Sequence, residues 1–212
     1  MSYSYQEQKK VLQEIHQTLV ENNFLEKCQI GFGTFLGAYR QKKLNTSLND
    51  WDDLDFEILN DNFDEFKINV LSKLISKGFY LIHAHLVKTG EIGALTVGKG
   101  KDRIDFQIIF QNKSDKCYHF LWHGGVEMAK GFSKSYYEDI EKYELEGLLF
   151  CGPKEAELYL KDMYGENWRV PCKSENEYKF WEDSPGIPWK FKYRHYRLIK
   201  DKKLEELLNV SK

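Results

Sequence analysis

The chain has 212 residues, 42% of them hydrophobic, so it is long enough for one domain with a sizeable core. Its 31 basic and 33 acidic residues nearly cancel, which excludes a global field favouring nucleic acid or an anionic membrane; any polyanion site is local. Cys28, Cys117, Cys151 and Cys172 lack a C-x-x-C pair, the apolar runs fall short of the about 18 residues of a membrane span, and the start is polar. Together these point away from a zinc site, a disulfide scaffold, a signal peptide or a membrane span, and the expected location is cytoplasmic.

Val11, Leu12, Ile15 and Leu19 recur at helical spacing and predict an amphipathic helix from about Tyr5 to Asn23 packed under the first strand, with His16 on its surface. Cys28 to Phe32 reads as a short strand, and Gly33-Thr34 then opens a helix through about Lys43. Asn62 with Glu65 forms a capping-box pattern ahead of Phe63, Phe66, Val70 and Leu74, a helix that stops at Gly78. Phe79 to Val87, Ile92 to Val97 and Arg103 to Phe110 then read as an antiparallel meander, the last turn being Gly98 to Asp102. Pro153 suits the first turn of a further helix and Gly165 its end, and Leu204, Leu207 and Leu208 trace a final one.

Five carboxylates lie between Asp50 and Glu57. From Asp53 they alternate with apolar residues: Asp53, Asp55 and Glu57 take one side of a strand, and Leu54, Phe56 and Ile58 the other. Carboxylates two apart on a strand stand about 7 Å from each other and repel by about one to a few kcal/mol, a cost that a divalent cation removes. Hard ions such as Mg²⁺ take one or two carboxylates plus phosphate oxygens. A helix opening at Gly33-Thr34 offers N–H groups and a positive dipole end beside those acids, so an anion site adjoins a cation site. Asp105 is a carboxylate in an otherwise apolar strand, read either as a salt-bridge partner of Arg103 or Lys101 or as a functional acid, with Asp102 its rival in the turn. His83 and His85 alternate on a strand, His119 and His123 flank an apolar trio, and all four read as structural or substrate-edge residues. The Lys99 to Arg103 cluster can touch phosphates.

Gly33-Thr34-Phe35-Leu36-Gly37-Ala38-Tyr39-Arg40 followed by Trp51-Asp52-Asp53-Leu54-Asp55 resembles the signature of the LicD/fukutin family, G-[TS]-L-L-G-A-x-R and then P-W-D-x-D-h-D. Asp50 stands where that family has Pro, and Trp51 is one residue closer to the Asp-x-Asp. Pro153 through Trp168 resembles the family's closing P-x-x-x-E-x-Y-L…Y-G-x-x-W segment, so the likeness covers about Phe24 to Pro171. The resemblance implies an α+β nucleotidyltransferase-like fold, with a small mixed sheet and helices packed behind it. It implies a transferase moving a phosphorylated alcohol, such as phosphocholine or ribitol phosphate, from a CDP-linked donor to a glycan or other hydroxyl. It also implies Mg²⁺ or Mn²⁺ on Asp53, Asp55 and Asp105, with Gly33, Thr34, Gly37 and Arg40 at the phosphates. Eukaryotic relatives are often Golgi-luminal, a location that an N-terminal anchor ahead of this sequence would bring.

Residues 1–172 are expected to form the catalytic domain, and 173–212 an aromatic-rich extension and helix packed on it. Two other classes remain. An Asp-x-Asp also serves sugar-nucleotide glycosyltransferases and aspartate-nucleophile phosphatases, although here a polar loop, Asn45 to Asp52, precedes it in place of a continuous apolar strand. A catalytically silent nucleotide- or metal-binding module keeps the same acids without turnover.

Overall fold

A computed structural model describes residues 5–44, 53–87, 89–111, 116–123, 126–170, 197–199 and 201–208. Helix α1 (Tyr5–Glu21) buries Val11, Leu12, Ile15 and Leu19, as their spacing requires, and packs on later elements of the chain. His16 lies at the surface but is partly covered: its Nε2 lies 3.0 Å from the Leu149 carbonyl oxygen and its ring meets Phe150 edge-on. Strand β1 is shorter than expected, Cys28–Ile30, and helix α2 runs from Phe32 to Gln41 with Gly31 as its N-cap. Phe32, its first residue, holds a left-handed φ of +43°, a strained conformation for a bulky side chain.

Strand β2 (Leu54–Leu59) leads into a 3₁₀ turn at Asn60–Asn62, and helices α3 (Phe63–Glu65) and α4 (Ser72–Ser76) are joined by a π-helical segment, Phe66–Leu71. The expected capping box is absent. Asn62 is already helical (φ −96°, ψ −2°) and so cannot adopt the extended N-cap geometry, while Glu65 pairs with Lys27 at 2.6 Å. Gly78 ends this run at φ +88°, as its position suggested.

The meander forms as β3 (Tyr80–Leu86), β4 (Ile92–Lys99) and β5 (Asp102–Gln111), with consecutive strands antiparallel. Its last turn is tighter than expected. Asp102 is the buried first residue of β5, and Gly98 and Lys99 belong to β4. Two hairpins that local pattern did not announce follow: β6 (Lys116–His123) with β7 (Val126–Ser133), then, after α5 (Ser135–Glu138), β8 (Ile140–Leu145) with β9 (Leu148–Pro153). Pro153 therefore closes a strand; α6 begins later, at Ala156, runs to Tyr164 and stops at Gly165 (φ +88°). Strand β10 (Arg197–Ile199) pairs with β3, and α7 (Asp201–Leu208) buries Leu204 and Leu208.

Among the described residues the ten strands join one mixed sheet, in the order β10-β3-β4-β5-β2-β1-β9-β8, with β6 and β7 branching from β5. The sheet is thus larger than the small one expected. Strand β2 is interior to it, antiparallel to β1 and parallel to β5. On its apolar side Leu54, Phe56 and Ile58 are fully covered: Phe56 stacks on Phe106 at 5.4 Å, and Phe66 of the π segment sits 4.7 Å from Phe106. Burying several aromatic rings there, each worth about 1.5–3 kcal/mol, fixes β2 and β5 in place. Among the described residues no helix is long and apolar enough to cross a membrane. Cys28, Cys117 and Cys151 are buried free thiols. Cys172, Asp50, Trp51, Asp52 and the aromatic stretch from Tyr178 to Trp189 lie outside the described residues.

Candidate active site

Three contacts sew Asp55 to the start of α2. Its carbonyl oxygen accepts the Gly31 N–H at 3.0 Å, its own N–H donates to Thr34 Oγ1 at 2.8 Å, and its carboxylate accepts the Gly33 N–H. The helix N-terminus predicted to hold a phosphate therefore holds Asp55, and Thr34 serves the strand. A Cβ built on Gly33 would have Asp55 Oδ2 as its nearest neighbour, at 3.9 Å. Gly37 is buried in the body of α2. Arg40 is elsewhere: it lies in the last turn, about 10 Å from Gly33 by helical rise, and donates from Nη2 to the Arg169 carbonyl at 3.2 Å. The two ends of the motif are not brought together.

Asp105 is brought in. Parallel pairing sets it directly opposite Asp55, and Asp53 precedes Leu54 at the mouth of the same strand. Burial drives the Asp55 carboxyl well above the usual carboxylate range, the charges of Asp105, Asp53 and Glu57 push it further, and the Gly33 hydrogen bond opposes them. Burial raises Asp105 too, against the Thr96 hydroxyl and the Arg103 guanidinium. Arg103 Nε stands 3.9 Å from Asp53 Oδ1, an ion-pair distance rather than a hydrogen bond. Lys99 of the same basic cluster points elsewhere, pairing with Glu14 at 3.1 Å and lying over the Phe79 ring.

Glu57, the third acid in the alternation, is not on a solvated face. It is 1% exposed, takes the Tyr159 hydroxyl at 2.5 Å, and its pKa is pushed up by burial to about 8. Local pattern had no means of showing this, because the covering residue comes from α6.

Thr96 is the residue that sequence reasoning passed over, since a threonine in an apolar strand is ordinary. Its register partners are Asp105 on β5 and His83 on β3. Thr96 Oγ1 donates to Asp105 Oδ1 at 2.5 Å and lies 3.1 Å from His83 Nε2. His83 and His85 meet edge to face at 4.9 Å, and burial, His83 and Arg103 lower the His85 pKa to about 4. His83 thus reaches Asp105 through Thr96 and His85 lies against His83, whereas His119 and His123 lie on β6.

Asp53, Asp55 and Asp105 are hard oxygen donors, the charges of Asp105 and Asp53 raising the proton affinity of Asp55, and this donor chemistry suits Mg²⁺ or Mn²⁺. Among the described residues no group of three His, Cys, Asp or Glu side chains is assembled as an ion cage. The fit is thus to an ion held by one or two carboxylates, with water and phosphate oxygens completing its shell. Comparison with known proteins gives no matching family model and no matching curated protein, so the LicD/fukutin resemblance rests on the motif residues themselves.

Proposed function

We propose that the chain is a metal-dependent transferase of nucleotidyltransferase-like fold, moving a phosphorylated alcohol of the phosphocholine or ribitol phosphate kind from a CDP-linked donor to a hydroxyl of a glycan or similar acceptor. The observation that carries this reading is the register of Asp55 opposite Asp105, with Asp53 beside them. Like charges are costly to hold together under protein cover, and a substrate that brings a cation and a diphosphate removes that cost. Asp53 and Asp55 would hold the ion, whose contribution is to neutralise charge on the diphosphate. The Gly33 N–H at the head of α2 orients the Asp55 carboxylate, and Arg103 presents its guanidinium at the rim. The acceptor oxygen attacks the phosphorus that carries the alcohol, its proton passes to Asp105, and the P–O bond to the nucleoside monophosphate breaks.

A thermal-shift screen of CDP, CDP-choline, UDP-glucose and ADP, each with and without Mg²⁺, tests the reading, followed by detection of released CMP. A metal-dependent gain of about 2.7 kcal/mol is expected for the cytidine compounds at 100 times Kd. Preference for UDP-glucose would move the chain to the glycosyltransferases. Binding without product would make it a silent module.

A further inference from the structure

A row of polar side chains crosses four strands of the sheet: Asp55 on β2, Asp105 on β5, Thr96 on β4 and His83 on β3 are successive register partners. The last step of the row depends on an irregularity. Leu81 pairs with Val97, so a regular strand would set Ile82 against Thr96; a register shift between Leu81 and His83 sets the histidine there instead. A bulge of this kind re-aims a side chain, and here it carries an imidazole onto the face that holds the acids.

The hydroxyl of Thr96 has one proton and two polar neighbours, and Thr96 is 2% exposed. Thr96 donates that proton to Asp105 Oδ1, so the hydroxyl oxygen in turn accepts from His83. We infer that His83 and Thr96 form a directional hydrogen-bond relay, Nε2–H to Oγ1–H to Oδ1, which fixes the rotation of the Asp105 carboxylate and leaves Oδ2 to face the acceptor hydroxyl. Among the described residues the Asp105 side chain makes no other hydrogen bond. Thr96 and His83 are positioning residues: they touch no reacting atom and act through Asp105. The relay rests on the transferase reading for its purpose, but not for its existence.

The test uses the full chain and three variants: Thr96→Val, which keeps the shape and removes the hydroxyl; Thr96→Ser, which restores it; and His83→Gln, whose amide N–H₂ can replace Nε2–H. Thr96→Val is expected to lower kcat about 10- to 100-fold, the scale for loss of a group that orients a catalytic side chain, with donor KM unchanged. Thr96→Ser and His83→Gln should each keep most of the rate. A merely structural Thr96 would shift melting temperature without this split between kcat and KM. Long-range ¹H–¹⁵N spectra of the histidine rings, with His83 assigned by its loss in His83→Gln, give a second readout that needs no turnover. They should show His83 as the Nε2–H tautomer in the native chain and a mixed population in Thr96→Val. An Nδ1–H tautomer in the native chain would overturn the relay, as would full kcat in Thr96→Val. Absence of CMP release from the native chain, together with the Nε2–H tautomer and its dependence on Thr96, would remove the transferase reading and leave the relay standing.

Discussion

Asp55 and Asp105 are register partners on parallel strands, so the main chain, and not a rotamer, holds these two half-buried acids side by side. Neither can move away without unpairing β2 from β5. The site therefore carries a standing electrostatic cost that belongs to the fold itself.

Asp55→Asn should relieve that cost and raise the melting temperature of the ligand-free chain. The amide oxygen still accepts from Gly33 N–H, and removal of about 1 kcal/mol of like-charge repulsion corresponds to about 2–4 °C in a chain of this size. A carboxyl with a raised folded-state pKa loses its stabilising share as pH rises through that value, so the advantage of Asn should grow with pH. Mg²⁺-dependent nucleotide binding should disappear in the same variant. A fall in melting temperature would show that the acid is a structural partner.

Glu57 gives the chain a pH dependence of its own. Its folded-state pKa of about 8 lies above the ordinary 4.5, so its share of stability is complete below 4.5 and is lost as pH rises toward 8. The loss is on the order of a few kcal/mol. Glu57→Gln keeps an oxygen for the Tyr159 hydroxyl and cannot ionise, and its stability should therefore be flatter across that window in urea titrations at several pH values. Parallel slopes for the two proteins would refute the assignment.

Gly31 and Gly33, two residues apart, should respond in opposite ways to alanine. A Cβ on Gly31 falls 2.5 Å from Glu57 Oε1, so Gly31→Ala should destabilise by about 1–3 kcal/mol. On Gly33 the nearest atom is Asp55 Oδ2 at 3.9 Å, an ordinary contact. Gly33→Ala should fold with native stability and yet bind CDP more weakly, because the methyl enters the space between the helix and the acid. Calorimetric titration and thermal melts separate the two outcomes; unchanged affinity in Gly33→Ala would take the head of α2 out of the site.

Arg40 and Arg103 should also part company. Arg40 is committed to the Arg169 carbonyl at the far end of α2, and Arg40→Ala should change donor affinity less than about twofold. Arg103 stands beside Asp53 and Asp105, and Arg103→Ala should cost about 10-fold or more, the scale of one charge-assisted hydrogen bond. The reverse ranking in a CDP titration would return the phosphate contact to the motif arginine.

What could be read from the sequence is what short-range periodicity encodes. The alternation from Asp53 to Ile58, the helical spacing of Val11 to Leu19 and the left-handed stops at Gly78 and Gly165 each depend on neighbours within a few positions. What escaped depends on lateral register. That β5 lies against β2, that Thr96 lies against Asp105 and that a bulge sets His83 against Thr96 are properties of strand pairing, and no window of one strand contains them. The cover over Glu57 escaped for the same reason, since Tyr159 comes from α6. Arg40 was different: seven residues at 1.5 Å each already place it far from Gly33, and motif likeness overrode helix geometry.

The parallel pairing of β2 with β5 bears on how the chain folds as well as on what it binds. Helices α3 and α4 and the hairpin of β3 and β4 all lie between those strands in sequence, so a long loop must close before they meet. Closure of that kind loses chain entropy early and is slow. The repelling pair sits on the strands that must meet, and it raises the barrier once the acids ionise. Refolding followed by stopped-flow fluorescence should therefore slow as pH rises, and Asp105→Asn should lose most of that dependence.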